Sequence, residues 1–115
     1  MANPLPSGLF YRIDMREITS QELIIRMKSE PDLIIIDVRE EWEFIEDNIG
    51  AKCYPLGELP QFLNELSDLK NREIIVHCKT GARAGRAQKY LTKQGFTQVV
   101  NLIGGIEAYR ALQPA

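Results

Sequence analysis

Cys78 stands where an apolar segment ends and a glycine-containing loop begins. The loop that follows it consists of Lys79, Thr80, Gly81, Ala82 and Arg83. The glycine allows the loop to curl through a positive φ angle, and successive N–H groups that point inward beside a helix N-terminus form an anion site. A thiol at the base of such a site ionises readily, and the thiolate is the nucleophilic form. The pattern predicts a reactive cysteine with an anionic substrate; a buried structural cysteine is the simpler alternative.

The distribution of charge supports an anion site near Cys78. The chain has 14 Lys and Arg residues against 16 Asp and Glu residues, a formal net charge of −2. Residues 74–106 contain no acidic residue but five cations, namely Lys79, Arg83, Arg86, Lys89 and Lys93. The rest of the chain therefore holds nine cations and sixteen anions. The net acidity argues against general nucleic-acid binding, and the local cationic excess also fits a solvated basic helix face.

Other cysteine and histidine chemistries fit the sequence poorly. His77 is the only histidine, and because adjacent strand residues point to opposite faces it is a poor base for Cys78. Cys–His protease and Ser–His–Asp triad mechanisms are therefore disfavoured. Cys53 is expected to be a buried strand residue, with a resolving role only if it lies near Cys78. Two cysteines are too few for a disulfide scaffold and lack zinc-site spacing, so we expect no metal. Gly104-Gly105 is not a dinucleotide fingerprint, and we expect no cofactor.

Alternating strand and helix patterns provide the elements that would position the loop. Apolar and β-branched runs predict strands over residues 11–13, 33–38, 51–54, 74–78 and 98–102. Helical spacing and turn residues predict helices over about 20–29, 39–45, 59–66, the segment from the loop to 94, and 106–112. Residues 1–10 are expected to be an irregular arm of a single domain over 1–115. The fold class is α/β, with a mainly parallel sheet of about five strands flanked by helices on both faces.

The cellular setting is predicted from absent targeting signals. The chain has no apolar run of roughly 20 residues, the length that a membrane span requires. The N-terminal residues lack the basic start and apolar stretch of a secretory signal. We therefore expect a cytoplasmic protein without a membrane partner.

Several motifs together resemble the rhodanese sulfurtransferase family. The first is Cys78-x-x-Gly81-x-Arg83 after an apolar strand, and the others are Asp37-Val38-Arg39-Glu40, the segment 55–59 and Gly104-Gly105. The resemblance covers roughly residues 18–109. The chain departs from the family pattern at Tyr109, where tryptophan is common, and at Ala84, where serine is frequent.

The resemblance implies a rhodanese-like fold and a sulfur-transfer reaction. Cys78 would attack the outer sulfur of a donor, either thiosulfate or a persulfide, and would carry the sulfur as a persulfide. A thiophilic acceptor would then remove that sulfur. A sulfur-carrier or thioredoxin-like protein is a further candidate partner.

The side chains near the loop have the following expected roles. The loop Lys79, Thr80, Gly81, Ala82 and Arg83 would bind the substrate. Arg83 is expected to close the loop or bind the donor's sulfonate, and Lys79 to steer anions toward it. Asp37 and Arg39 are expected to support the site as an ion pair that braces the strand end. Trp42 is expected to pack against the protein rather than to hold substrate.

Two other functions stay open at this point. One is a cysteine-based phosphatase or arsenate reductase on the related fold, and the other is a non-catalytic rhodanese-like interaction domain. Phosphatases that resemble this fold place five residues between cysteine and arginine, whereas four, Lys79 to Ala82, stand here. The shorter loop disfavours phosphoryl transfer, and the presence of Cys78 and Arg83 disfavours a non-catalytic domain.

Overall fold

The computed structural model describes residues 15–113 and contains one five-stranded parallel sheet. The strands are β1 Glu17–Ile18, β2 Ile34–Asp37, β3 Lys52–Cys53, β4 Glu73–His77 and β5 Gln98–Leu102. They lie in the order β1-β5-β4-β2-β3, and each neighbouring pair is parallel. This arrangement places β4 at the centre of the sheet, with the Cys78 loop at its carboxyl end. In open parallel sheets, ligands bind beyond that end of the strands.

Helices cover both faces of the sheet, which confirms the predicted α/β class. They are α1 Ser20–Ser29, α2 Glu41–Glu46, α3 Leu59–Leu66, α4 Ala82–Lys93 and α5 Gly105–Ala111. Two 3-10 turns, Leu56–Glu58 and Ser67–Leu69, flank α3. Residues of α3 and α4 share one apolar cluster with the sheet, and residues of α1 and α5 share the other. Among the described residues no helix is long and apolar enough to span a bilayer.

Strand β4 is apolar throughout its centre because both of its faces are covered. Ile74 and Val76 belong to the cluster with α3 and α4, whereas Ile75 belongs to the cluster with α1 and α5. All three are fully buried. Burying one such side chain contributes about 1.5–3 kcal/mol. The strand thus forms a rigid base for the loop that follows it.

The structure places one edge strand that the sequence pattern did not reveal. Strand β1 has two residues, and Glu17 pairs with Asn101 of β5. Two residues are too few to show the alternation that marks a strand. The predicted arm over 1–10 and the predicted strand over 11–13 lie outside the described residues.

The expectation that Trp42 packs against the protein is wrong. Its side chain lies on α2 and is 63% exposed, and Ile45 on the same helix is 72% exposed. The partly buried residues of α2 are Glu43 and Phe44. The helix therefore turns two of its three apolar side chains away from the core and keeps only Phe44 partly buried.

Candidate active site

The Cys78 sulfur lies at the base of the loop and accepts two backbone hydrogen bonds. The N–H groups of Gly81 and Ala84 donate to Sγ at 3.0 Å and 3.3 Å. Cys78 is only 1% exposed, whereas Lys79, Thr80 and Ala82 are exposed above it. Two backbone donors therefore converge on one sulfur atom. The bond from Ala84 uses only its backbone, so the serine that is frequent in the family is not needed for it.

Gly81 turns the loop into helix α4. Its φ of 120° lies in the region that favours glycine, and α4 begins at the next residue. The Gly85 N–H group donates the first intrahelical bond, to Gly81 O at 2.9 Å. Ala82 and Arg83 come before Gly85 in the chain, so their N–H groups have no acceptor within the helix. The helix N-terminus therefore presents donors and positive dipole potential at the sulfur end of the loop.

The N-terminus of α5 holds the other side of the loop. Ile106 N–H donates to Cys78 O at 2.9 Å, and Glu107 N–H donates to Lys79 O at 3.2 Å. The N–H and C=O of a trans peptide point in opposite directions. Because both carbonyls face α5, the N–H groups of Lys79 and Thr80 point away from α5. The sequence marked Gly104-Gly105 only as one motif of the family resemblance and did not predict this contact.

Gly105 permits the close approach of α5. A Cβ atom at Gly105 would lie 2.4 Å from Lys79 O and 2.5 Å from Cys78 O. Real Cβ atoms do not approach backbone oxygens so closely, so a side chain here would push α5 and the loop apart. The glycine thus sets the position of the loop carbonyls.

Arg83 is held by an acidic residue that sequence analysis did not identify. Its Nη1 and Nη2 donate to Oε1 and Oε2 of Glu43 at 2.6 Å and 3.0 Å. The Arg83 hydrogen bonds lower the pKa of Glu43 to about 2, despite its partial burial. Forty residues separate the two side chains, so no local pattern joins them. The only sequence signal for this contact was the helical spacing in α2, which places Glu43 on the side of the helix opposite Trp42 and Ile45.

The fold changes the predicted charge of the site. Lys79 is 60% exposed and its Nζ lies 3.9 Å from Glu107 Oε2. Together with the Glu43–Arg83 pair, this contact brings two acids to a stretch of sequence that has none. The local cationic excess is therefore partly neutralised. The remaining cations of the stretch, Arg86, Lys89 and Lys93, are exposed on α4.

A buried ion pair lies behind the loop at the end of β2. Arg39 Nη2 donates to Asp37 Oδ2 at 2.8 Å, and Arg39 Nε donates to Oδ1 at 3.1 Å. Asp37 is fully buried and Arg39 is 5% exposed. Arg39 Nη2 also donates to the Asp47 carbonyl at 2.6 Å, which ties the end of α2 to the strand. The structure thus brings the predicted pair together.

His77 belongs to this buried network. Its Nε2 lies 3.5 Å from Asp37 Oδ2, and its Nδ1 lies 3.3 Å from the backbone oxygen of Cys78. Burial lowers the pKa of His77, although Asp37 opposes that effect. The ring nitrogens thus face Asp37 and the backbone. This placement agrees with the prediction that His77 is not the base for the thiol.

Cys53 is partly buried rather than fully buried, and it lies too far from Cys78 for a disulfide. It ends β3, and β2 separates that strand from β4. Neighbouring strands lie about 4.8 Å apart, so two spacings exceed the Cα separation of roughly 4.4–6.8 Å that a disulfide requires. Burial raises the pKa of the Cys53 thiol to about 11.

Among the described residues no cluster of three metal-binding side chains occurs.

Comparisons with known proteins agree with this architecture. A family model described as Rhodanese-like domain matches residues 20–112. A sulfurtransferase of Allochromatium vinosum is 33% identical over 96 residues, covering 83% of this chain and 88% of that protein. The putative sulfur carrier protein YrkF of Bacillus subtilis is 36% identical over 91 residues, covering 78% of this chain and 48% of its own length. The crystal structure of a Rhodanese-like Domain Protein from Staphylococcus aureus has a TM-score of 0.76 at 31% identity, covering 83% and 91% of the two chains.

Proposed function

The chain belongs to the rhodanese-like domain family, and we propose that it transfers sulfane sulfur through a persulfide on Cys78. The observation that carries the proposal is the pair of N–H groups that donate to Cys78 Sγ. The name of a relative that covers most of this chain, a sulfurtransferase, supports sulfur transfer. We propose thiosulfate as the donor because the loop offers N–H donors to an anion.

The first step forms the persulfide. The Cys78 thiolate attacks the outer sulfur of thiosulfate, and a bond forms between the two sulfur atoms. The bond between that outer sulfur and the sulfonate breaks, and sulfite leaves with its electron pair. The new S–S bond is about 2.05 Å long, so the outer sulfur extends from Sγ into the loop. The donors of Ala82 and Arg83 at the start of α4 would then stabilise its charge.

The second step returns the enzyme to its thiolate form. A thiophilic nucleophile, such as cyanide, attacks the outer sulfur, and the S–S bond breaks toward Cys78. Cyanide leaves as thiocyanate and no net oxidation of the enzyme occurs. A sulfur-carrier or thioredoxin-like protein is proposed as a second kind of acceptor, because a relative is named a putative sulfur carrier protein.

The neighbouring residues are proposed to position the loop rather than to exchange protons. Arg83 is committed to Glu43 by two hydrogen bonds, so its proposed role is to hold the loop near the donor. Asp37 and Arg39 support the end of β2, which pairs with β4. Thr80 and Gly81 contribute backbone to the loop. No metal or cofactor takes part in the proposed reaction.

The experiment measures sulfur on the protein and sulfur leaving it. After incubation with thiosulfate, the intact mass is expected to rise by about 32 Da, the mass of one sulfur in a persulfide. Cyanide is expected to remove that mass and release thiocyanate. Cys78→Ser should lose both signals, and the matched control Cys53→Ser should keep them. Equal loading of Cys78→Ser would overturn the proposal.

An aryl phosphate assay on the same samples separates sulfur transfer from phosphoryl transfer. The loop has four residues between Cys78 and Arg83, and phosphoryl transfer depends on precise positioning of donors around the transferred group. We expect negligible hydrolysis. Cys78-dependent hydrolysis that exceeds thiocyanate formation would favour the phosphatase alternative. A failure of both activities would favour a non-catalytic domain.

A further inference from the structure

Helix α2 presents an apolar pair to solvent between two carboxylates. Trp42 is 63% exposed and Ile45 is 72% exposed, and Glu41 and Glu46 on the same helix are also exposed. Successive helical residues are rotated by about 100°, so the angular order is Glu41, Ile45, Trp42 and Glu46. These four residues form one continuous surface, here called the α2 outer face. The sequence pattern predicted no solvent-facing role for this surface.

The α2 outer face lies beside the candidate active site. On the opposite side of the same helix, Glu43 bonds Arg83 of the loop. A surface cleft between α2 and α5 extends from Trp42 and Glu46 to Lys79 and Glu107. A molecule that contacts Trp42 can therefore reach the loop along this cleft.

The exposed groups on this face have no role in the proposed chemistry of small molecules. Thiosulfate and cyanide are small anions that would react at the loop with its N–H donors. They give no reason for a tryptophan to expose a large apolar area to water. Trp is enriched among the residues that dominate protein interfaces. An apolar pair with a polar rim is the usual anatomy of such a surface.

The charge on the face selects the kind of partner. Asp47 is paired with Arg110, and Glu43 is paired with Arg83. By contrast, neither Glu41 nor Glu46 forms a salt bridge within residues 15–113. Two unpaired carboxylates around an apolar centre complement a partner surface that carries cations around an apolar residue.

We propose that the α2 outer face docks a protein sulfur acceptor whose reactive cysteine is flanked by an apolar residue and by Lys or Arg. This proposal rests on the proposed function. The acceptor thiolate attacks the outer sulfur of the Cys78 persulfide and forms a new S–S bond. The original S–S bond breaks, its electron pair returns to Cys78, and the acceptor leaves as a persulfide.

The test uses two synthetic cysteine peptides of equal length as probes. In one peptide, leucine and four lysines flank the cysteine; in the other, four glutamates replace the lysines. Trp42 is the only tryptophan, so its emission reports binding of either peptide without any sulfur transfer. Persulfide transfer from the loaded protein is measured by mass on the same peptides, with cyanide as the small acceptor.

The basic peptide is expected to change Trp42 emission and to take up sulfur faster than the acidic peptide. Added salt should reduce this preference, because exposed charges are screened over about 8–10 Å. Trp42→Ala should lower transfer to the basic peptide about tenfold, the loss expected when an interface hot spot is truncated. The double variant Glu41→Gln/Glu46→Gln should remove the preference between peptides. Transfer to cyanide should be unchanged in all of these variants.

The matched control is Ile25→Ala, which removes another apolar side chain, 66% exposed, from α1. It should behave as the wild type. If loaded protein transfers sulfur to both peptides at equal rates, or if Trp42→Ala matches Ile25→Ala, the docking proposal is wrong while the proposed function stands. If no persulfide forms, the proposed function fails, and peptide-dependent Trp42 emission still decides the docking proposal. A Trp42-dependent dimer in sedimentation would overturn it in favour of a second copy of this chain.

Discussion

Glu43 is expected to act as a positioning residue through Arg83. In Glu43→Gln the carboxylate that accepts both Arg83 hydrogen bonds is gone, so the loop arginine loses its fixed orientation. We expect kcat/KM for thiosulfate to fall about tenfold, because a binding group that is still present but wrongly placed lowers the rate. The measurement is the steady-state rate of thiocyanate formation.

A double-mutant cycle distinguishes this role from general destabilisation. If Glu43 acts only through Arg83, the variant Glu43→Gln/Arg83→Ala should be no slower than Arg83→Ala. The control Glu46→Gln changes an exposed carboxylate on the same helix and should keep the wild-type rate for thiosulfate and cyanide. Additive losses in the double variant would contradict the assigned role.

Lys79 is expected to assist donor binding through long-range charge. Its side chain is 60% exposed and only weakly held by Glu107. Lys79→Ala should raise KM for thiosulfate about two- to fivefold with little change in kcat, because an exposed charge is worth less than about 1 kcal/mol. The control is Lys89→Ala, which removes an exposed cation from α4. Identical kinetics of the two variants across salt concentrations would show that Lys79 is only a solvated residue.

At the residue scale, sequence reasoning could identify the groups that are close in the chain. Cys78, Gly81 and Arg83 form one short motif, and the structure places them in the loop and first helical turn that follow β4. Glu43 could not be identified, because its contact with Arg83 depends on how α2 packs beside the loop. For the same reason, the sequence did not show that Lys79 and Arg83 have acidic partners in the fold.

At the element scale, the close contact between α5 and the loop should depend on Gly105. Gly105→Ala would place a Cβ atom 2.4 Å from Lys79 O, at a φ of 60°. Because a backbone atom must move, we expect a loss of about 1–3 kcal/mol in the free energy of unfolding and at least tenfold lower sulfur transfer. Chemical unfolding and the thiocyanate assay measure the two effects.

Gly50→Ala provides the matched control for this substitution. Gly50 also has a positive φ, 89°, but an added Cβ there meets no atom within 4 Å. It should show the backbone cost and retain activity. Equal activity loss in both variants would assign the effect to backbone conformation alone rather than to the approach of α5.

Most helices and strands could be predicted because the spacing of apolar and capping residues within each segment indicates its structure. Helix α1 is an example, since Thr19 and Glu22 form a capping box with bonds of 3.1 Å and 2.8 Å at the point where the sequence predicts the helix to begin. Helix α2 was placed correctly, but its orientation was not, because its apolar pair faces solvent and Glu43 faces the loop. Hydrophobic spacing reports the core face of a helix only when the core determines its orientation.

At the scale of the whole molecule, acid should weaken the folded state in two stages. Arginine hydrogen bonds lower the pKa of four carboxylates, namely Glu30, Glu43, Asp47 and Glu73. Their stabilisation is present above their unfolded pKa values and is lost as pH falls through the folded values. These groups act below about pH 5. A separate effect at higher pH belongs to His77.

His77 should make the free energy of unfolding depend on pH below about 6.5. Burial holds its folded pKa below the ordinary value of 6.5. The carboxylate of Asp37 beside it is already paired with Arg39, so it does not cancel the effect of burial. The unfolded chain therefore binds a proton first as pH falls, so stability decreases by at most about 1.4 kcal/mol per pH unit. Urea unfolding at pH 7, 6.5, 6, 5.5 and 5 measures that slope.

The histidine can be isolated because the chain contains only one. His77→Asn removes its titration, so the slope between pH 6.5 and 5.5 should flatten even if the variant is less stable at every pH. The comparison uses slopes rather than absolute stabilities, which separates titration from lost packing. A slope as steep in His77→Asn as in the wild type would show that another group takes up the proton. A wild-type stability that rises on acidification would mean that Asp37 outweighs burial and keeps His77 charged inside the fold.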